Sequence, residues 1–298
     1  SWNDIATECT TWLGPQGFGA VQISPPGASK QVNHWWGVYQ PVNYVNLTSR
    51  MGTPAELQTM IDTCHQAGVR VYADVVVNQM ATDAGVATDG SRWNAATLSY
   101  PYFSANDFHP DCPITPADYQ SPAGRGNVMN CRLDGMPDLA TESRYVQGQV
   151  ANYMRRLLDM GVDGFRIDAA KHMPPNALRA ILDAVRTTHP RTRSGEAIWV
   201  TQEVIPDGGV HRADYFVVGT VNEFRFATAM RDVFRGSNGL NLASIPSIMG
   251  TWGSWGGSWG FVPPQQATIF VNNWDTERNG DSLNARDDTY QGAKRYDL

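Results

Sequence analysis

Gly164-Phe165-Arg166-Ile167-Asp168 is the stretch on which the reading of this chain turns. These mostly apolar residues follow a helical pattern that stops at Gly161, and they end on an acid. Side chains alternate along a strand, so Arg166 and Asp168 share one side while Phe165 and Ile167 take the other. Working outward, the same unit recurs: a short apolar strand, a polar or Gly/Pro-rich loop, then an amphipathic helix. That order is the signature of parallel α/β architecture. Seven strands are expected, at residues 18–23, weakly at 36–42, then 69–75, 164–168, 198–202, 215–221 and 268–271.

Helix signals fill the gaps. Thr53-Pro54-Ala55-Glu56 is a capping box with proline at the first helical position, followed by apolar Leu57, Met60, Ile61 and Cys64 and stopped by Gly68. A second helix sets Val146, Val150, Tyr153, Leu157 and Leu158 on one face, and a third sets Leu178, Ile181, Leu182 and Val185. Between Asn78 and Asp138 the alternation fails and Pro, Gly, Asp and Asn dominate, which reads as an irregular inserted lobe. The expected division is therefore a barrel at 1–77 and 139–298 with a lobe at 78–138.

Bulk properties narrow the function. The length of 298 residues suits one α/β barrel with an insertion. Ten Trp, 11 Tyr and 28 Gly suggest aromatic platforms on tight loops, which suit sugar rings. A formal charge of −6 without Lys/Arg runs argues against nucleic acid or an anionic membrane surface as partner, and no apolar run is long enough to span a bilayer. Cys9, Cys64, Cys112 and Cys131 lack metal-site spacing; two disulfides are expected, with three pairings open. Together with a start at Ser1, as in a mature exported product, this points to a secreted protein.

Four expected strands end on acids: Asp74, Asp168, Glu203 and Asp275. Strand ends converge on one face of a parallel barrel, so these carboxylates can meet in one cleft. Arg166 beside Asp168 is expected to keep that carboxylate ionised, as a nucleophile requires.

With those residues in view, Asp74-Val-Val-Val-Asn78, Gly164-Phe-Arg-Ile-Asp168-Ala-Ala-Lys171-His172, Glu203 and Asn272-Asn273-Trp274-Asp275 resemble the ordered signature segments of the α-amylases. Trp35-Trp36, Tyr39 and Gln40 and the Trp/Gly-rich loop at 252–260 extend the likeness to the animal and actinobacterial type. The resemblance implies retaining cleavage of α-1,4-glucosidic bonds within α-glucans, with Asp168 as nucleophile, Glu203 as acid/base and Asp275 stabilising the distorted ring. It further implies sugar contacts from Trp35, Trp36, Tyr39, Gln40, Gln79, Arg166, Lys171, His172 and Trp274. Calcium would be held by Asn78, Asp138 and backbone carbonyls near Met129 and His172. Cys9 with Cys64 and Cys112 with Cys131 are the implied bridges.

Three departures bear on that expectation. Gln79 and Trp274 stand where amylases usually carry histidines, which weakens sugar contacts in the glucose subsite and leaves a feeble glucan-binding homologue as the rival reading. Chloride is doubtful, because Arg166 and Asn273 match two of its ligands in relatives while a third, basic one is missing. The fold expected is an incomplete TIM-type barrel without the eighth strand or the C-terminal β domain, its open edge covered by the C-terminal tail or by a second subunit in a homodimer.

Overall fold

The computed structural model describes residues 1–284. They fall into two compact units, Ser1–Glu203 with Asp207–His211, and Val204–Pro206 with the chain from Arg212 onward. The C-terminal tail expected to cover a sheet edge lies at 285–298, outside the described residues.

In chain order the first unit contains α1 (Trp2–Glu8), β1 (Ala20–Ile23), β2 (Ala28–Ser29), β3 (Pro41–Asn43), α2 (Pro54–Gln66), β4 (Arg70–Val75), β5 (Ala84–Val86) and β6 (Arg92–Asn94). It continues with α3 (Arg125–Asn130), α4 (Arg144–Met160), β7 (Gly164–Ile167), α5 (Pro175–Thr188) and β8 (Trp199–Gln202). Strands β1, β4, β7 and β8 form a parallel sheet in that order. All four residues of β7 are buried, as expected of a strand covered on both sides. Gly164 lets β7 approach β8: a β-carbon there would lie 2.5 Å from the Trp199 carbonyl oxygen.

The helices form for the reasons written in their sequence. At α2 the Thr53 side chain accepts from the Glu56 N–H while the Glu56 carboxylate takes the Thr53 N–H, and Leu57, Met60, Ile61 and Cys64 are fully buried. Each such side chain contributes about 1.5–3 kcal/mol of burial. Helix α4 turns Val146, Val150, Tyr153, Leu157 and Leu158 inward, and α5 does the same with Leu178, Ile181, Leu182 and Val185. Disulfide Cys9–Cys64 ties the first turns of the chain to α2.

The expected second strand at 36–42 is corrected. Trp35–Tyr39 is a 3-10 turn, β3 pairs antiparallel with β2, and β1 pairs directly with β4. Successive aromatics around Gly37 form the turn, and Pro41 opens β3, the head-of-strand position where proline's missing N–H is tolerated.

Residues 78–138 carry the β5–β6 hairpin, several 3-10 turns and α3, with Cys112–Cys131 closing the outer part. The two ends of the segment are zipped by an antiparallel bridge between Gln79 and Asp138 and by the Leu139 N–H donating to the Asn78 carbonyl at 2.9 Å. A long irregular segment is tolerable when its ends and middle are pinned in this way.

The second unit holds β9 (Thr220–Asn222), α6 (Phe224–Arg235), α7 (Ile245–Ile248), β10 (Ala267–Thr268) and α8 (Trp274–Asn279). Strands β9 and β10 pair in parallel and are shorter than the expected 215–221 and 268–271. Its core gathers Phe226, Met230, Val233, Ile248 and Leu283, with Trp255, Trp259 and Phe261 packed against it. The Trp-rich loop is thus largely a packing element, although Trp252 is 70% exposed.

Candidate active site

Three adjacent strands build the centre. The register aligns Asp74 of β4 with Arg166 of β7, and Arg166 with Thr201 of β8. The ladder continues one step past each end: the Asp168 N–H donates to the Val75 carbonyl at 3.0 Å, and the Glu203 N–H to the Ile167 carbonyl at 2.9 Å. Asp168 and Glu203 are therefore carried on neighbouring strand ends and point at one cation.

Arg166 is that cation, and it is buried. Its Nη1 donates to both Asp74 oxygens at 2.8 Å and to Asp168 Oδ1 at 2.7 Å, while Nη2 lies 3.2 Å from Glu203 Oε2. Tyr39 donates its hydroxyl to Asp74 Oδ2 at 2.9 Å, and the Ala169 N–H donates to Glu203 Oε2 at 2.9 Å. Ala169 sits in the left-handed region at φ 48° immediately after Asp168. A non-glycine residue there stores roughly 1 kcal/mol of strain, and the turn aims a backbone N–H at Glu203.

One guanidinium faces three carboxylates, so full ionisation would leave a net charge of −2 in a buried space. Burial pushes the Asp168 carboxyl well above the usual carboxylate range; Arg166 opposes this, and the charges of Glu203 and Asp74 reinforce it. Asp74 is raised as well, first by burial. Tyr39 holds its proton far into the alkaline range because it is buried and faces Asp74. The expectation that Arg166 keeps Asp168 ionised is thus corrected: the cation is shared three ways. Asp74 and Asp168, both raised by burial, are the members of the cluster that hold on to protons.

Other expected sugar contacts take varied places. Trp35 is 40% exposed and meets Tyr39 edge-on at 6.0 Å, whereas Trp36 stacks on His34 at 5.3 Å. The two indoles lie on one 3-10 turn and not on a strand. Gln40 accepts from the Thr82 N–H and hydroxyl, and the buried Gln79 amide donates to the Tyr39 carbonyl at 3.2 Å. Lys171 is paired with Asp207 at 2.7 Å. His172 donates from Nδ1 to the Val128 carbonyl at 2.9 Å, and burial together with Lys171 lowers its pKa to about 4, which fixes it as a neutral donor. Asp207 and Tyr119 were not expected at the site; no strand-end or motif signal marks them.

The expected cation site can be tested on its donors. One terminal atom of the Asn78 amide stands 3.0 Å from the His172 carbonyl oxygen and 3.3 Å from Asp138 Oδ1. With nitrogen in that place the amide donates to both; with oxygen there, three oxygens converge with no proton between them, the arrangement a hard cation needs. Burial raises the Asp138 carboxyl to about 6 against the pull of His109, whose Nδ1 lies 2.6 Å from Asp138 Oδ2. A neutral amide, a carbonyl and one carboxylate fit calcium and not zinc. No cluster of three His, Cys, Asp or Glu side chains suited to a metal occurs among the described residues.

Asp275 and Trp274 belong to the second unit and open α8. The Asn273 side-chain oxygen caps that helix, accepting from the N–H groups of Asp275 at 3.0 Å and Thr276 at 2.9 Å. Asn273 therefore acts as a helix cap.

Residues 11–238 match the Alpha-amylase family, described as "Alpha amylase, catalytic domain". Over its full length the chain is 44% identical to an alpha-amylase of Aeromonas hydrophila, 62% of which it covers, and 38% identical to pancreatic alpha-amylase of Homo sapiens, 59% of which it covers. Among solved structures it resembles alpha-amylase I of Eisenia fetida, crystallised as a mutant with maltohexaose: TM-score 0.86 and 31% identity, covering all of this chain and 62% of that one. The chain thus spans about three fifths of the length of these relatives. On the matched family, the identities and the paired strand-end carboxylates, this chain belongs to the alpha-amylase catalytic-domain family.

Proposed function

We propose that this chain hydrolyses internal α-1,4-glucosidic bonds of starch, glycogen and related α-glucans with retention of configuration. The observation that carries this reading is the pairing of Asp168 and Glu203 on adjacent strand ends across one guanidinium. A retaining enzyme needs its two carboxyl groups about 5–5.5 Å apart, a spacing that neighbouring strand ends supply. In the first step Asp168 attacks the anomeric carbon as the glycosidic C–O bond breaks, and Glu203 gives its proton to the leaving oxygen. In the second, Glu203 takes a proton from water, whose oxygen displaces Asp168 and frees the sugar. Asp275 would stabilise the positive charge on the distorted ring, with Trp35, Trp36, Tyr39, Gln40, Gln79, Arg166, Lys171, His172 and Trp274 as sugar contacts. The Ala169 N–H and the Arg166 guanidinium, both on Glu203 Oε2, support the acid/base role of Glu203 by fixing where its carboxyl points.

Asn78, Asp138 and the carbonyls of His172 and Met129 would hold calcium, which supplies charge that fastens the 78–138 segment to the strand ends. Two disulfides and the lack, among the described residues, of a helix long and apolar enough to cross a membrane support export to an oxidising compartment. The test is incubation with soluble starch, with and without a calcium chelator, alongside Asp168→Asn. Release of short reducing oligosaccharides that the variant abolishes and the chelator diminishes is expected. Tight glucan binding without release would replace this reading with that of a glucan-binding homologue.

A further inference from the structure

Asp138 lies in a narrow ladder between two other stretches of the first unit. On one side it bridges antiparallel to Gln79, the Leu139 N–H donates to the Asn78 carbonyl at 2.9 Å, and the Met80 N–H donates to the Pro137 carbonyl at 2.9 Å. On the other side Phe108 bridges to Leu139, the His109 N–H donates to the Asp138 carbonyl at 2.9 Å, and the Ala140 N–H donates to the Asp107 carbonyl at 2.9 Å. The side chains repeat that order. Asp138 Oδ1 faces the Asn78 amide at 3.3 Å, and Asp138 Oδ2 meets His109 Nδ1 at 2.6 Å. His109 Nε2 in turn meets Glu142 Oε1 at 2.9 Å. The Asp138 side chain is 1% exposed and that of His109 11%, whereas Glu142 stands half in solvent. Both ring nitrogens of His109 thus face carboxylate oxygens, a pairing that an imidazolium with its two N–H donors satisfies.

We infer that His109 is a positioning residue for the cation held by Asn78 and Asp138: it occupies Oδ2 of Asp138, so that Oδ1 is the oxygen left for the metal. The inference rests on the calcium reading above. The terminal torsion of an aspartate is broad and two-fold, so nothing intrinsic to Asp138 selects which oxygen turns toward Asn78. A charge-assisted hydrogen bond to one oxygen does select, and the contact with Glu142 holds the ring that makes it. Partners that orient a metal ligand in this way are worth about 10–100-fold in metal affinity. His109 also sets a positive charge beside a carboxylate drawn out of water, which keeps Asp138 compensated before a metal arrives. An imidazolium repels a nearby dication as well, but the Glu142 carboxylate on the far side of the ring offsets that charge and leaves orientation as the net effect.

Calcium affinity, measured by titration calorimetry on the chelator-stripped full chain, decides it. His109→Ala should raise the calcium Kd about 10–100-fold. Two amide variants separate orientation from bulk. An Asn side chain can place its N–H group where Nδ1 stands and keep the contact with Asp138, whereas the longer Gln reaches toward Glu142 in place of Nε2. His109→Asn should therefore stay within about threefold of the unaltered Kd, while His109→Gln weakens binding nearly as much as His109→Ala. Equal Kd values across the three variants, weakened or not, overturn the inference, and so does tighter binding by the Gln variant than by the Asn variant. Should His109→Ala fail to fold without calcium, the order of the two amide variants still decides. An unaltered chain that takes up no calcium ends the calcium reading and the inference with it; calcium uptake indifferent to the residue at 109 ends the inference alone.

Discussion

Two arginine centres that meet buried carboxylates differ in their charge counts. At Arg166 one guanidinium serves Asp74, Asp168 and Glu203. At Arg212, within the second unit, one guanidinium meets a single carboxylate, Glu223, at 2.9 and 2.7 Å, and the same carboxylate accepts the N–H groups of Arg225 and Val262 at 3.0 and 2.7 Å. The second centre is balanced in charge and saturated with donors, which is what a structural joint requires. The first has more acids than cations, so its acids must hold protons or stand uncompensated, a state that costs stability and that persists where chemistry needs displaceable protons. The carboxylates are buried in both centres, so what separates joint from reactive site is the ratio of acids to cations.

The contrast yields predictions of opposite sign. Asp168→Asn should lower kcat on starch by about 10⁴-fold or more, and because it relieves crowded charge it should raise the melting temperature. Steady-state kinetics and a thermal melt on one preparation check both halves; a lowered melting temperature would break the comparison. Arg166→Met should cost about 3–5 kcal/mol at pH 7 by removing the cation that three buried acids share, and distinctly less near pH 4, where Asp74 and Asp168, raised by burial, are protonated. Glu223→Gln should cost about 2–3 kcal/mol, since three donors lose a charged acceptor. Denaturant titrations at the two pH values measure all three.

A smaller effect follows from the sign of the shifts. Asp74 and Asp168 are raised in the native state, so folding retains protons that the unfolded chain gives up above about pH 4. That stabilisation is full below pH 4 and is lost as pH rises toward the native values. Asp74→Asn should therefore show a shallower decline of melting temperature with rising pH than the unaltered protein; equal slopes would contradict the shared-proton account. The smallest effect is expected at Tyr39→Phe, about 1 kcal/mol, because one hydroxyl donor to Asp74 is removed while Arg166 remains.

Much of this was legible in the residues. Strands β1, β4, β7 and β8 fall within one or two residues of their apolar runs, because their side chains are buried by local neighbours and the pattern records it. The inserted segment announced itself by the failure of that pattern. Residues 36–42 misled because an aromatic run reads like a strand whether it pairs or turns, and only the tertiary contacts decide. At the site, strand periodicity paired Arg166 with Asp168, yet it could not reveal that Asp74 and Glu203 share the same cation, since cross-strand register is not written in any one strand. Asp207 was invisible for a similar reason: its partners, Lys171 and Tyr119, lie 36 residues away and beyond and meet it only when the inserted segment folds back.

The central claim is that Asp168 and Glu203 act as nucleophile and acid/base across one guanidinium. Proton NMR of the anomeric signals during the first minutes of maltoheptaose cleavage tests it most directly, before mutarotation blurs the outcome. The account predicts that the new reducing end appears as the α-anomer. Appearance of the β-anomer first would mean single displacement by water and would contradict it.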